Sequence, residues 1–291
     1  MKILVFYSGG KDSQASLIWS IKKYGVENCE AVFCDTGWEN PVTYQHIIDT
    51  CKDLGVKLVI LKSTKYDGMV DLATKKGRFP STKRRFCTEE LKMKPAIDYI
   101  LTHTEHLITV EGIRKNESLS RSKMMEACTY FRYYFEPMAN GKTFSYRKKE
   151  VLSWCKKYNA DKIRPVFNWT AEQVISYIKE NGQQPNPLYF QGFSRVGCFP
   201  CIMANHREVK LIIENHPERF DEIIEHENNI GSSFFKIDFV PKREQTGVCH
   251  RSGKKFTTGL DVKRYILAKN NTIDMFDQGT PSCMSVYGLC E

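Results

Sequence analysis

The stretch Met1–Ile21, MKILVFYSGGKDSQASLIWSI, decides the fold because it joins a short apolar run to a glycine turn and then to an amphipathic segment. Ile3–Phe6 is short, apolar and partly β-branched, which predicts a buried strand. Leu17 and Ile21 have the spacing of one helix face. A strand, a glycine turn and a helix N-terminus together form an anion site, since free backbone N–H groups point at the ligand. The sequence therefore predicts a phosphate-binding loop at Ser8–Ser13.

The loop differs from the Walker phosphate loop, whose pattern is G-x-x-x-x-G-K-[ST]. Val5 stands where that pattern requires its first glycine, and Asp12 separates Lys11 from Ser13. An ordinary glycine-rich connection between a strand and a helix is the alternative. The SGGKDS stretch in its strand–helix context favours a nucleotide-binding loop, to which Lys11 adds a mobile positive charge.

The composition sets wider limits on partners and compartment. The 291 residues include 43 Lys and Arg against 34 Asp and Glu, a formal net charge of +9. This balance permits a polyanionic partner or a phosphorylated substrate. No apolar run is long enough to cross a membrane, and the first run is too short for a signal peptide, so we expect a cytoplasmic protein without a membrane partner. The eleven cysteines then need another explanation than disulfides.

Short apolar segments alternate with helical ones further along the chain. This alternation predicts an α/β fold with a parallel sheet covered on both faces, in which a ligand binds at the carboxyl ends of the strands. Two predicted strands end in polar residues, Asp35–Glu39 and Glu111–Arg114, where the SGGKDS loop also falls. The predicted strands are 3–6, 31–34, 57–61 and 107–110, and the predicted helices include 15–21, 43–54 and 94–101.

Five stretches carry a resemblance to a known family. They are SGGKDS at 8–13, DTG at 35–37, RFCTEELKMKP at 85–95, GIRKNES at 112–118 and NPLYFQGFSRVGCFPC at 186–201. With them the chain resembles the phosphoadenosine-phosphosulfate (PAPS) reductase family, within the PP-loop or adenine-nucleotide α-hydrolase superfamily. The resemblance implies a Rossmann-like PP-loop (HUP) domain with a smaller, mostly helical C-terminal part. We predict the nucleotide-binding domain at residues 1–165 and the C-terminal region at 166–291.

The resemblance also assigns roles to residues at the predicted strand ends. It implies that Arg114 and Arg121 point at phosphate or sulfate groups and that they form the catalytic set with Lys11. The implied nucleotide-binding residues are Ser8, Gly9, Gly10, Lys11, Asp12, Ser13, Asp35, Thr36, Gly37 and Gly112.

The cysteines include two pairs that suggest a metal site. Cys198 and Cys201 form a C-x-x-C motif, which alone is either a redox pair or half a metal site. Cys283 and Cys290 complete a four-thiolate set for zinc or an iron–sulfur cluster. Adenylyl-sulfate reductases, a branch of the family, are similar at G-C-x-x-C and draw two further ligands from an upstream cysteine pair. Only one of that pair is present here, so Cys87 rivals the C-terminal cysteines as a ligand.

The resemblance favours a 4Fe-4S cluster, with zinc as the alternative, while a structural zinc knuckle or plain buried thiols would be simpler explanations. Cys249–His250 is a weaker metal candidate. The remaining cysteines have the character of small core residues. These are Cys29, Cys34, Cys51, Cys128 and Cys155.

Three functions remain open at the level of the sequence. The motifs are most similar to DNA-phosphorothioation ATP pyrophosphatases, which implies ATP and Mg²⁺, cleavage to AMP and pyrophosphate, and sulfur transfer from a donor protein to nucleic acid. The alternative is a reductase of PAPS or adenylyl sulfate that releases sulfite. Such reductases end in E-C-G-(I/L)-H, whereas this sequence ends Tyr287–Glu291, YGLCE, which argues against a conventional reductase. A non-catalytic nucleotide-binding regulator is the third hypothesis.

The second half of the chain gives weaker signals. Tyr130–Phe135 is aromatic with one interleaved arginine, and it either stacks nucleic-acid bases or forms a core strand. Thr170 and Gln173 have the spacing of a capping box and predict a helix start. Apolar periodicity predicts one long helix over 207–228 and another over 261–269.

Overall fold

The structure is a computed structural model that describes residues 1–131, 144–248 and 253–268. A six-stranded sheet in the order β3-β2-β1-β4-β6-β5 forms its centre. The strands are β1 (Lys2–Phe6), β2 (Cys29–Cys34), β3 (Lys57–Leu61), β4 (Leu107–Glu111), β5 (Ala127–Thr129) and β6 (Ala160–Ile163). All neighbours are parallel except β5, which pairs antiparallel with β6 at the edge. The α/β prediction is therefore confirmed.

Helices follow most strands and continue into the second half of the chain. The α-helices are α1 (Lys11–Tyr24), α2 (Pro41–Asp53), α3 (Met69–Lys76), α4 (Phe86–Thr88), α5 (Lys94–Leu101), α6 (Lys148–Trp154), α7 (Ala171–Glu180), α8 (His206–Asn215), α9 (Pro217–Ile230) and α10 (Gly259–Ala268). A short hairpin pairs β7 (Gly247–Val248) with β8 (Lys255–Phe256). No helix among the described residues is long and apolar enough to cross a membrane.

The first strand forms as its sequence predicts because it is buried on both sides. Ile3 pairs with Cys29 of β2 on one side and with Ile108 of β4 on the other. Ile3, Leu4 and Val5 are fully buried. A central parallel strand with helices on both faces has no polar face, which is why it reads as a continuous apolar run. The carboxyl end of β1 then delivers the SGGKDS loop to the edge where β2 and β4 also end.

The sheet contains two strands that apolar patterning does not reveal. The sequence of β6 is Ala-Asp-Lys-Ile, in which Asp161 is exposed and Lys162 is buried. Lys162 is stabilised by an ion pair with Glu111, whose Oε1 lies 2.5 Å from its Nζ. A strand that buries a lysine against a distant carboxylate carries no periodic apolar signal, because its stabilising partner lies elsewhere in the sequence.

One helix widens locally around a proline. The stretch Glu89–Met93, between α4 and α5, is a π-helical turn in which the Lys94 N–H donates to the carbonyl of Glu89. Pro95 follows directly and has no N–H to donate. Its ring would clash with the carbonyl four residues earlier in a regular α-helix. The wider turn accommodates it, so the chain continues helically through the motif that contains Cys87.

The prediction of one long helix over 207–228 is wrong. Two helices, α8 and α9, occupy this stretch, and His216 between them has φ −141° and ψ 56°. Pro217 lacks an N–H and disfavours a helical conformation for the residue before it, so the helix stops and a new one begins at the proline. The apolar periodicity continues through the break, which is why the sequence pattern missed it. The Thr170–Gln173 capping box begins α7 as predicted, whereas α1 begins at Lys11, four residues before the predicted helix over 15–21.

The largest hydrophobic cluster joins residues from both sides of the predicted boundary at 165. Trp38 and Met69 pack in the same cluster as Val209 and Phe220. A smaller cluster packs Ile18 of α1 against Val174 and Ile178 of α7. The second half of the chain therefore lies against the loops at the strand ends, while the domain limits themselves stay a prediction.

Candidate active site

The SGGKDS loop is a tight turn between β1 and α1. Gly9 has φ +82°, and a Cβ there would lie 2.8 Å from the Thr43 Cγ2 and 3.1 Å from the Ile47 Cγ1. Only glycine combines this backbone conformation with that close approach. The Ser13 hydroxyl donates to the Gly10 carbonyl (2.9 Å), and Gly10 caps α1 without a side chain. The first-turn N–H groups of α1 thus face the strand-end edge with no side-chain cap from the residue before them.

Gly112 places the end of β4 directly against this loop. A Cβ on Gly112 would lie 2.2 Å from the Ser13 nitrogen and 2.4 Å from the Asp12 carbonyl carbon. Backbone atoms cannot move away as a flexible side chain can. Residue 112 must therefore be glycine for β4 and the start of α1 to approach this closely.

A charged network links the loop to the segment after β4. Asp12 accepts from the Arg114 Nε at 2.6 Å through one carboxylate oxygen, and its other oxygen lies 3.7 Å from the Lys11 Nζ. Arg121, 1% exposed, forms an ion pair with Glu117. The structure thus brings Lys11 and Arg114 together at the loop, while Arg121 is buried against the Glu117 carboxylate. Their catalytic roles stay a prediction.

The end of β2 holds an ionised carboxylate. The Asp35 Oδ1 accepts from the Gly37 N–H (2.8 Å) and from the Tyr44 hydroxyl (2.6 Å), and Lys62 lies 3.1 Å from its other oxygen. Burial raises the pKa of Asp35, but these hydrogen bonds and the Lys62 charge outweigh it and hold the pKa below its ordinary value. Asp35 is therefore a negative charge at the strand-end edge at neutral pH. Gly37, with φ +64°, makes the turn that follows.

The C-x-x-C segment meets the end of β2 through Glu39. Glu39 and Cys198 form an isolated antiparallel bridge. The Thr36 hydroxyl donates to the Glu39 carboxylate at 2.7 Å and lies 3.8 Å from the Cys198 Sγ. Trp38 fixes the arrangement, because its indole N–H donates to the Pro200 carbonyl at 2.9 Å. The predicted nucleotide-binding residue Thr36 and the predicted metal ligand Cys198 are thus neighbours.

A segment of the second half of the chain also contacts the loop, and sequence reasoning assigned it no role. The Lys11 N–H donates to the Tyr189 hydroxyl at 3.1 Å, and the Lys11 Nζ lies 4.8 Å from the centre of the Tyr189 ring. The Asn186 side chain donates to the Thr43 hydroxyl (3.2 Å), which itself donates to the Val196 carbonyl. Tyr189 therefore touches one of the N–H groups expected to bind a phosphate. Asn186 and Tyr189 both lie in the stretch at 186–201 that carries part of the family resemblance.

A buried ion triad lies at the end of β4. Glu111 contacts Lys162 and, at 3.0 Å, the Arg164 NH2, and all three side chains are 4% exposed or less. Burial lowers the pKa of Lys162, while the Glu111 carboxylate opposes that shift. The Lys162 Nζ also lies 4.4 Å from the centre of the Tyr130 ring. Tyr130 and the residue after it, Phe131, belong to a hydrophobic cluster, which favours a core role for these two aromatic residues.

The predicted metal ligands are only partly described. Cys87, Cys198 and Cys201 are partly buried thiols, outside any disulfide, that pack against the same hydrophobic cluster. Cys283, Cys290 and the Cys249–His250 pair lie outside the described residues, as do residues 132–143 of the aromatic–basic insert. Within 1–131, 144–248 and 253–268, no group of three or more His, Cys, Asp or Glu side chains is arranged to hold a metal.

The other cysteines differ in burial. Burial raises the pKa of the Cys29 thiol to about 11 and that of the Cys51 thiol to about 12, so both are unreactive core residues as predicted. Cys155 is exposed, so its prediction as a core residue was wrong. It follows α6, whose core contacts are made by Val151 and Trp154 instead.

Comparison with protein families decides the broader assignment. Residues 2–204 match the model of the phosphoadenosine phosphosulfate reductase domain. The chain belongs to the PAPS reductase domain family. The match includes the SGGKDS loop, the ends of β2 and β4, and the C-x-x-C segment. The candidate site described above therefore lies within the family domain.

Relatives of this PAPS reductase domain protein include proteins of different lengths. An uncharacterized 37.8 kDa protein of Escherichia phage 186 is 28% identical over 99% of this chain and 96% of its own length. An uncharacterized Methanocaldococcus jannaschii protein is 28% identical over 80% of this chain, which spans less than half (44%) of that relative. An adenosine 5'-phosphosulfate reductase of Streptomyces coelicolor is 25% identical over 59% of this chain and 61% of its own length.

Two solved structures resemble this chain at low sequence identity. A phosphoadenylyl-sulfate reductase from Candida auris, in a phosphate complex, is 20% identical with a TM-score of 0.45 over 68% of this chain and 82% of that one. A Candida glabrata FMN adenylyltransferase is 17% identical with a TM-score of 0.42 over 68% of this chain and 55% of that one.

Proposed function

We propose that this protein binds ATP at the strand-end edge and cleaves it to AMP and pyrophosphate to activate an acceptor for sulfur transfer. The observation that supports this most is the start of α1. Its first-turn N–H groups have no side-chain cap from Gly10, and Lys11 and Arg114 lie beside them. This arrangement of backbone donors and cations suits a polyphosphate.

The proposed chemistry is a displacement at the α-phosphorus. An ionised acceptor oxygen forms a bond to the α-phosphorus, and the bond to the bridging oxygen breaks with its electron pair leaving on pyrophosphate. AMP then leaves with that acceptor oxygen when the donor's sulfur takes its place. The chain has little covalent chemistry to perform, so its contribution is positioning and charge stabilisation. Lys11 and the α1 N–H groups would neutralise the departing charge. Mg²⁺ would enter on the phosphates, since it takes most of its oxygen ligands from phosphates and water.

The acceptor segment of the site would lie near Cys198. Thr36 and Glu39 connect the predicted nucleotide pocket to this thiol within about one side-chain length, because the Thr36 hydroxyl is 3.8 Å from the Cys198 Sγ. Thiolates are the ligands that iron–sulfur clusters and zinc prefer, so Cys87, Cys198 and Cys201 have suitable chemistry for a 4Fe-4S cluster or zinc. When bound, such a group would supply sulfur-handling or structural chemistry at this position.

Replacing Cys198 with serine should lower the metal content of the full-length protein to a small fraction of wild type. A serine hydroxyl is a much poorer ligand than a thiolate for iron or zinc. The measurement is elemental analysis of anaerobically purified protein. Cys155→Ser, which changes an exposed cysteine outside every predicted ligand set, serves as the matched control. Unchanged iron and zinc in Cys198→Ser would show that Cys198 is not a ligand.

A second candidate function is a reductase of PAPS or adenylyl sulfate that releases sulfite. The observation that favours it is the relationship to proteins named adenosine 5'-phosphosulfate reductase, together with the family itself. A nucleotide-binding regulator would use the same edge without turnover. All three readings share the phosphate loop and differ in what they do after binding.

A calorimetric titration of the anaerobic full-length protein separates these candidates. We expect ATP with Mg²⁺ to bind more tightly than PAPS and pyrophosphate to be released when ATP is supplied. Tighter PAPS binding with sulfite release would establish the reductase instead. Tight ATP binding without pyrophosphate release, in the presence of nucleic acid, would identify a regulator.

A further inference from the structure

A second concave site lies apart from the phosphate loop. It is a pocket of about 160 Å³ between the connection from α3 to α4 and the chain that follows α9. Arg78, Arg84 and Lys236 lie around it, and Phe79 and Phe234 contribute its apolar lining. No step of the chemistry proposed above uses this pocket.

The apolar lining is part of the largest hydrophobic cluster and is therefore preformed. Phe79 and Phe234 are both buried, and their rings meet edge to face with centres 5.3 Å apart. Phe234 in turn packs against Trp38, which follows the predicted nucleotide-binding turn at the end of β2. Phe86 also lines the pocket, and it is only partly buried. Its side chain is thus less completely covered than those of Phe79 and Phe234.

The rim carries positive charge that the described residues neutralise only in part. Residues 75–85 include six Lys and Arg and no Asp or Glu, although Lys75 and Lys76 pair with Asp71 and Glu90. Within the described part of the chain, no carboxylate oxygen lies within 4.0 Å of Arg78, Lys83 or Arg84. The Arg78 guanidinium instead lies 5.7 Å from the centre of the Phe86 ring. Lys236 has only a distant, exposed partner, Asp238 at 4.0 Å.

The pocket adjoins the predicted cysteine site through two chain neighbours. Phe86 precedes Cys87, and Ile202, which also lines the pocket, follows Cys201. All four residues contact the same hydrophobic cluster. A ligand seated in the pocket would therefore place its next unit along the wall that leads to these thiols.

We propose that this pocket binds single-stranded nucleic acid and is the acceptor site of the enzyme. One base lies against the Phe86 ring and the apolar lining, and the flanking phosphates contact Arg78, Arg84 and Lys236. A partly exposed ring beside cations that lack a close carboxylate is the combination that single strands require. Lys83, between the lining residues Thr82 and Arg84, adds a fourth cation, and four cations exceed what one phosphate needs, which favours a polymer over a mononucleotide. The proposal deepens the proposed function, on which it rests for the chemistry but not for the binding.

The test is the binding of a short fluorescently labelled single-stranded oligonucleotide to the full-length protein, measured by anisotropy without ATP. In the double variant Arg78→Gln and Arg84→Gln, we expect affinity to fall by about tenfold or more, and the slope of log K against log salt concentration to become shallower by about 1.4. Lys52→Gln with Lys179→Gln removes the same charge from exposed positions on α2 and α7 and should leave affinity nearly unchanged.

Several results would overturn the proposal. Equal losses in the two double variants would show that only the overall charge matters. Displacement of the oligonucleotide by polyglutamate at equal charge concentration would assign the pocket to acidic peptides, and binding of mononucleotides alone would exclude a strand. Pyrophosphate release is measured separately. A wild-type protein that releases pyrophosphate but binds no strand contradicts only this inference, and one that binds strands without cleaving ATP contradicts only the proposed function.

Discussion

Replacing Lys11 with alanine should nearly abolish the proposed release of pyrophosphate from ATP and leave the protein folded. A cation aimed at developing phosphate charge typically contributes about 10²–10³-fold to the rate, so we expect at least that loss. The fold should survive because the contact that Lys11 makes with the Tyr189 hydroxyl uses its backbone N–H, which alanine retains. The measurement is the rate of pyrophosphate release at saturating ATP, alongside thermal unfolding.

Lys22→Ala is the control for this variant. Lys22 lies on the same helix, is exposed, and contacts only the face of the Tyr177 ring, at 5.8 Å. It should retain wild-type turnover. If Lys11→Ala turns over ATP as fast as Lys22→Ala does, SGGKDS is a structural turn and the phosphate assignment is wrong.

Replacing Gly112 with alanine should destabilise the protein by about 3 kcal/mol and weaken nucleotide binding as well. Overpacking costs about 1–3 kcal/mol where side chains can adjust, and here the new Cβ would meet backbone atoms of Asp12 and Ser13 at 2.2–2.4 Å. Either β4 or the start of α1 must shift, and the first-turn N–H groups then lose their alignment. Urea unfolding gives the free energy of unfolding, and calorimetry gives the nucleotide affinity.

Gly182→Ala is the matched control for Gly112→Ala. Gly182 has φ +75°, and a Cβ there meets nothing within 4 Å. The substitution should lower the free energy of unfolding by only about 1 kcal/mol, because alanine disfavours the left-handed backbone conformation, and nucleotide affinity should be unchanged. A Gly112→Ala protein as stable as Gly182→Ala, with normal nucleotide affinity, would mean that β4 and the loop are not held at this distance.

Local patterns predicted much of the nucleotide-binding half. The four predicted strands lie within β1 to β4, and the loop between β1 and α1 begins its helix at Lys11. These elements can be predicted because the apolar residues of each lie close together in the sequence. The strands β5 and β6 were missed. Strand β6 depends on the ion pair between its Lys162 and Glu111 of β4, and among the described strands β5 pairs only with β6.

The residues of the candidate site were only partly predictable, because their contacts also join residues that lie far apart in the sequence. The motifs pointed to Asp35–Gly37, Gly112 and the C-x-x-C segment, which do meet at one edge. Glu39 and Tyr189 were not assigned roles, although Glu39 bridges Cys198 and Tyr189 contacts Lys11. A glutamate or a tyrosine has no local signature of such a contact.

The sequence by itself determined the strand–turn–helix unit around SGGKDS, the parallel α/β core and the family, because each depends on neighbouring residues whose spacing matches a strand, a turn or a helix start. Only the tertiary structure decided which distant side chains share an edge. Lys11 and Tyr189 are 178 positions apart, and the Thr36 and Cys198 side chains that meet at 3.8 Å are 162 apart. Contacts at such separations form when packed elements bring their ends together, and no local pattern records which partner will be there.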